Sequence, residues 1–194
     1  MNSGQFHDFL RAIRQRDARA LVALMFDQTT WVLRPGFLCE TEAWDYKICA
    51  PEPGTGSAME WAELCKDILS FHNHNGGAIV IGVDNAYRVV RSRNTLDSKL
   101  VVDKVRRYLG DSIWVDYHRL SIQADQKHIG IILVPPRGPV IARFVRDSPM
   151  EGTKQLFKKG DTAFREGDSS KVLHGVSAES FVAQSRTPFR TRVS

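Results

Sequence analysis

Residues 71–84 read Phe71-His72-Asn73-His74-Asn75-Gly76-Gly77-Ala78-Ile79-Val80-Ile81-Gly82-Val83-Asp84. Asn75-Gly76-Gly77 stops a helix, because glycine accepts the left-handed backbone that a helix end commonly needs. Ala78 to Val83 is a short apolar run rich in branched residues, the pattern of a central strand buried on both faces. That strand delivers Asp84 to its end. Upstream, Met59, Trp61, Leu64, Cys65, Ile68, Leu69 and Phe71 cluster on one side of a helix, and Ser57 with Glu60 has the spacing of a capping box.

Working outward, Pro51, Pro53, Gly54 and Gly56 make a loop, and Trp44 to Ile48 has the aromatic and β-favouring residues of a strand. Phe6, Phe9, Leu10, Ile13, Ala20, Leu21, Leu24 and Met25 recur at helical spacing, so one amphipathic helix or a helical pair is expected before Asp27. Downstream, Ser98 to Leu109 predicts a helix. Ile113 to Ile122 and His128 to Val134 flank a polar turn, as in an antiparallel hairpin. Further strands are expected at Val140 to Val145 and Thr162 to Arg165, then a short helix at Ser177 to Gln184. The sum is an α+β fold: a mixed, largely antiparallel sheet packed with helices. Residues 1–34 form an N-terminal helical segment, 35–185 a single-lobe domain and 186–194 a basic tail.

The chain has 194 residues, 42% hydrophobic and 25% charged, enough for one sizeable core. A formal charge of +5 favours polyanionic partners without requiring them. Apolar runs are too short to span a bilayer and the first residues are charged, so a cytoplasmic location and no membrane association are expected. Cys39, Cys49 and Cys65 lack paired spacing, which points to free thiols rather than zinc.

The order Glu40-Thr41-Glu42-Ala43-Trp44-Asp45-Tyr46-Lys47, followed by Phe71 to Asp84, resembles the Schlafen AlbA-type family. That family carries a Glu-Ser-x-x-hydrophobic-Glu-Phe-Lys stretch and a Phe-Ala-Asn-Thr-x-Gly-Gly stretch leading into Ile-Gly-Val-Asp. Here Asp45 replaces the second Glu, Tyr46 replaces Phe, and His74 stands where Thr is usual. Thr162 to Ser170 is similar to the family's closing element, so the resemblance spans about residues 40–170. It implies a Schlafen AlbA-like lobe and a metal-dependent endoribonuclease acting on structured RNA such as tRNA. Glu40, Asp45 and Asp84 would hold Mg²⁺ or Mn²⁺, and Lys47 would steady the phosphate. Hard cations want oxygen ligands, which makes three carboxylates a sensible clamp.

Read from the residues alone, Glu40 and Asp45 would face opposite sides of one strand, so the clamp needs a bend. Asp84 could equally be a turn residue. His72 and His74 are read first as caps of the helix C-terminus. Arg106, Arg107, Arg143, Arg146, Lys154, Lys158, Lys159 and Arg165 would grip RNA if they converge on one face, with DNA as a further possible partner. Arg11, Arg14, Arg16 and Arg19 are read as a solvated helix face or, more sharply, as a phosphate-contacting stripe. The family's two-lobed horseshoe implies a homodimer of this single lobe. The competing reading is a catalytically silent nucleic-acid-binding or regulatory module. No Gly-x-x-x-x-Gly-Lys-Ser/Thr loop supports ATP binding.

Overall fold

The computed structural model describes residues 3–52, 57–90, 96–122 and 127–184; of the expected turn at 124–127 the first three residues lie outside them, as does the basic tail, and Lys127 already begins a strand. The N-terminal segment is a helical pair, α1 (Ser3–Gln15) and α2 (Ala18–Met25), with the Asp17 carboxylate capping α2 through the Ala20 N–H. After a single 3-10 turn at Pro35–Phe37 the chain enters β1 (Trp44–Lys47), then α3 (Ala58–Asn73) and β2 (Gly77–Ile81). Helix α4 (Ser98–Leu109) leads to the hairpin of β3 (Asp116–Ile122) and β4 (Lys127–Val134). Two small hairpins follow, β5 (Met150–Glu151) with β6 (Lys154–Gln155) and β7 (Thr162–Glu166) with β8 (Ser169–Leu173), before α5 (Gly175–Gln184). The capping box is formed at Ser57 and Glu60.

The main sheet runs β1-β2-β4-β3, with β1 parallel to β2 and the other pairs antiparallel. Side chains alternate between two cores, as the twofold period of a strand requires. Trp44, Tyr46, Ala78, Val80, Ile131 and Leu133 meet Phe9, Ile13, Leu21 and Met25 of α1 and α2. Ile79, Ile81, Tyr117, Ile132 and Val134 meet Ile68, Phe71, Val101 and Val105 of α3 and α4. The chain is thus α+β, a mixed sheet with a helical pair on each face.

Two glycines let α3 return onto this sheet. Gly76 takes a φ of 77°, and a Cβ there would sit 2.7 Å from the Val134 carbonyl oxygen. At Gly77 a Cβ would lie 2.3 Å from Phe71 and 2.6 Å from the Ala43 oxygen. No side chain fits between the end of α3 and the start of β1.

One expectation needs correction. Val140 to Val145 is not a strand, because its backbone groups bond elsewhere: Ala142 N–H to Asn73 Oδ1, Phe144 N–H to the Asp161 carbonyl and Val145 N–H to the Tyr108 carbonyl. β8, by contrast, was not foreseen. It pairs with β7 from Thr162↔Leu173 to Glu166↔Ser169.

Candidate functional site

The bend that the acidic motif needs is present. Glu40 lies in the loop before β1, held by Trp44 Nε1–H to the Cys39 carbonyl at 2.6 Å and the Tyr46 hydroxyl to the Phe37 carbonyl at 2.8 Å. Its Oε1 accepts from the Tyr46 N–H at 3.1 Å, which folds the side chain back onto β1 and against Asp45. Burial pushes the Glu40 carboxyl up to about 7, helped by the Asp45 charge and a carboxyl–carboxyl hydrogen bond; the Tyr46 N–H and Lys47 pull the other way. With a second acid beside it in a partly dry place, Glu40 keeps its proton to a higher pH.

A pH signature follows. The folded chain holds the Glu40 proton more tightly than the unfolded chain, so this group's contribution to stability falls as pH rises from about 4.5 through about 7. Glu40→Gln removes that loss. After discounting for partial solvent screening, it should be more stable than wild type by about 1–2 kcal/mol at pH 8 and indistinguishable near pH 5. Urea melts at the two pH values check it.

Asp45 is 4% exposed and points to the α3 side of the sheet. There Lys47 Nζ lies 2.8 Å from Asp45 Oδ2 and 2.9 Å from Oδ2 of Asp67, an acid of α3 that is 5% exposed. Burial alone would lower the Lys47 pKa, but Asp67 and Asp45 outweigh it and hold the ammonium above its ordinary value. Lys47 and Asp67 also line a cavity of about 280 Å³ with Cys49, Leu64 and Lys66. Asp67 was missed from sequence. Its signal was there: it sits three residues after Leu64 and four before Phe71, an acid on the buried stripe of a helix.

Asp84 does not join this cluster. Asp45 stands beside Ile79 in the β1–β2 register, and Asp84 is five residues further on. Its Oδ1 accepts from the N–H groups of Ala86 and Arg88, and its Oδ2 pairs with the Arg88 guanidinium at 2.8 Å. The Arg88 backbone and side-chain hydrogen bonds, followed by that of Ala86, hold its carboxyl below the usual range. Asp84 is a turn residue here. Among the described residues no group of three His, Cys, Asp or Glu is placed to hold a metal ion. The expected clamp of Glu40, Asp45 and Asp84 for Mg²⁺ or Mn²⁺ is therefore not assembled. Glu40 and Asp45 meet, Asp84 is engaged elsewhere, and the Lys47 ammonium already lies between Asp45 and Asp67.

The basic set divides in the same way. Backbone bonds from Val145 to Tyr108, Gly160 to Phe144 and Ser148 to Phe157 gather the end of α4 with residues 144–160. The guanidinium groups of Arg107 and Arg146 each lie 5.9 Å from the Tyr108 ring centre. Arg106 pairs with Asp111 and Arg143 with Glu179. Arg107, Arg146, Lys158 and Lys159 are exposed, as is Lys154 on β6, and none of the five has a carboxylate partner among the described residues.

Arg165 is not a surface cation. At 4% exposure it stacks over Phe71 at 4.4 Å, donates to the Thr41 carbonyl at 2.8 Å and to Ser170 Oγ at 3.2 Å, and so ties β7 to the Glu40 loop. His72 is not a charged helix cap either: burial lowers its pKa, and its Nδ1 meets the Pro135 carbonyl at 2.9 Å. His74 does occupy the C-cap of α3, where its Nε2 lies 3.2 Å from Glu42 Oε2.

The architecture and the acidic motif define a class: a single α+β lobe in which the loop before β1, the end of α3 and the β7–β8 hairpin lock together. The sequence matches the Schlafen, AlbA_2 family over residues 40–174, and the chain belongs to that family. Membership is consistent with a nucleic-acid-related role. Among solved structures, the DIP2311 protein from Corynebacterium diphtheriae is similar, with a TM-score of 0.52 and 15% identity; the match covers 84% of this chain and 30% of that one. The chain thus spans less than a third of that structure, and the likeness is one of fold. No curated protein matches the sequence. None of the described helices is long and apolar enough to cross a membrane.

Proposed function

We propose that this chain is a nucleic-acid-binding AlbA-type module that holds structured RNA through the basic surface at the end of α4. The observation that carries this reading is the pair Arg107 and Arg146, whose guanidinium groups both lie 5.9 Å from the Tyr108 ring centre, with the exposed Lys158 and Lys159 on the segment that backbone bonds hold against the end of α4. Such a surface contacts phosphates and 2′-hydroxyls, giving affinity with little base reading. Metal-dependent cleavage of tRNA-like RNA is the second reading. It is favoured by the neighbouring Glu40 and Asp45 carboxyls, which a divalent cation could neutralise. It needs Asp84 to leave Arg88 and come to the pair.

One experiment tests both. Binding of a labelled RNA hairpin to wild type should weaken about tenfold in the Arg107→Glu/Arg146→Glu double variant, and the log–log salt slope should fall by about two. Unchanged binding would remove the proposal. The same RNA, incubated with a Mg²⁺ or Mn²⁺ series, should stay intact. Cleavage by wild type that is lost in both Glu40→Ala and Asp84→Ala would establish the second reading instead.

A further inference from the structure

Residues 1–39 lie outside the family match, and together with β3 they enclose a cavity that the proposed function does not use. It has a volume of about 370 Å³ and lies between α2 and the edge strand β3, lined by Arg19, Val22, Gln28, Trp31, Leu120 and Ser121. That is within the range of about 300–1,000 Å³ found for ligand clefts. The wall chemistry is mixed. Val22 and Leu120 are apolar, Trp31 offers an indole, Gln28 an amide and Ser121 a hydroxyl that lies 3.3 Å from His128 Nδ1. Arg19 has no carboxylate partner among the described residues. The Gln28 amide and the Trp31 indole N–H likewise have no hydrogen-bond partner there.

Trp31 is set deliberately. Its φ is 54°, in the left-handed region that bulky residues rarely adopt, and the bonds of Trp31 N–H to the Asp27 carbonyl and Asp27 N–H to the Val32 carbonyl hold it there. The ring rests on the core 6.3 Å from Phe26, yet the residue stays partly open. Near the start of the same edge strand, Arg16, in the turn between α1 and α2, stacks on the exposed Trp114 ring at 3.3 Å and lies 3.9 Å from Asp116. Asp116 and Leu120 share one face of β3, about 13 Å apart at the usual strand rise. Two arginine–tryptophan neighbourhoods thus flank β3, Arg16 with Trp114 near its start and Arg19 with Trp31 at the cavity beside Leu120.

We infer that this edge is a second nucleic-acid contact, one that takes a single strand: an unpaired base enters the cavity against Trp31 and its backbone phosphate meets Arg19. Aromatic stacking suits every base because each has a π-face, and arginine supplies the phosphate attraction. Gln28 and the Trp31 N–H are the groups left to meet a base edge. The inference shares with the proposed function the premise that nucleic acid is the ligand, but it invokes a different surface and a different form of it.

The test uses the full chain, a labelled single-stranded RNA of about 12 nucleotides and an RNA hairpin. Trp44 and Trp61 are buried, so in a Trp114→Phe background the fluorescence that changes on titration is that of Trp31. The single strand should quench it. Arg19→Glu, on an exposed helix position where folding is not at risk, should weaken single-strand binding about tenfold while leaving the hairpin unchanged. Trp31→Phe should bind better than Trp31→Ala, with melting curves confirming that both fold. Single-strand affinity within twofold of wild type in Arg19→Glu, or no quenching at saturation, overturns the inference. If Arg107→Glu/Arg146→Glu leaves hairpin binding intact while Arg19→Glu still loses the single strand, the proposed function fails and this inference stands.

Discussion

Lys47→Met should destabilise the fold by about 2–3 kcal/mol at neutral pH. The two acids are buried but the Lys47 side chain is 36% exposed, so the cost of breaking a fully buried ion pair, about 3–5 kcal/mol, is discounted for solvent screening. Lys47 is the cation for two acids at once, at 2.8 and 2.9 Å, and both acids have only 5% and 7% of their side chains exposed. Methionine keeps most of the volume, so packing changes little and the loss reports charge. With the ammonium gone, either acid can escape its penalty only by taking a proton. The loss should therefore shrink as pH falls toward 5. Adding Asp67→Asn to Lys47→Met should recover part of it at pH 7. Denaturant melts of the wild type, single and double variants measure all three. A Lys47→Met chain as stable as wild type across that range would mean that the Asp45–Lys47–Asp67 contact is an exposed pair of little worth, and the view of Lys47 as the resident cation of this motif would go with it.

How much of this was legible beforehand depends on whether the signal was local. The capping box at Ser57 and Glu60, the stop at Gly76-Gly77 and the buried strand behind it are set by residues within one turn of each other, and they stand where expected. Helix α4 is likewise read from its own periodicity and matches residue for residue. The small hairpins are different. Strands of two residues, as in β5 and β6, are too short to show any period. Val140 to Val145 has strand-like composition, yet its donors are taken by the end of α4, a side chain of α3 and the Asp161 carbonyl, all distant in sequence.

The site divides along the same line. That Glu40 must bend back to Asp45 followed from their five-residue spacing and is what Tyr46 N–H enforces. That Asp84 would be a turn residue was one of two readings the sequence allowed; its capture by Arg88, four residues on, was not among them. Arg165 looked like a surface cation among others. Only the approach of Phe71 and Thr41, from elements 94 and 124 residues away in sequence, makes it internal. Long-range burial, not residue type, decides which arginines can meet RNA.

The same long-range lock yields the other large expected effect, at Asn73. Its Nδ2 donates to the Ala142 carbonyl at 2.9 Å, Thr162 Oγ1 at 2.9 Å and the Ala163 carbonyl at 3.0 Å, while its Oδ1 accepts from the Ala142 N–H at 2.8 Å. One amide thus joins α3, the 140–145 segment and β7 in a place that water does not reach. Asn73→Ala leaves these groups without their partner, each worth about 1–3 kcal/mol when buried and unmet; after relaxation a loss of about 3–4 kcal/mol is expected. Asn73→Asp keeps shape but turns a donor into an acceptor facing two carbonyl oxygens. A buried carboxylate there faces carbonyl oxygens, so it should be worse than alanine at pH 8. It should recover near pH 5, where a proton restores one donor. That crossover separates a hydrogen-bond lock from simple packing, because a packing role predicts aspartate to be milder than alanine at every pH. Since Thr162 and Arg165 sit on the same strand, loosening Asn73 should also free the Glu40 loop, visible as faster amide exchange at Tyr46.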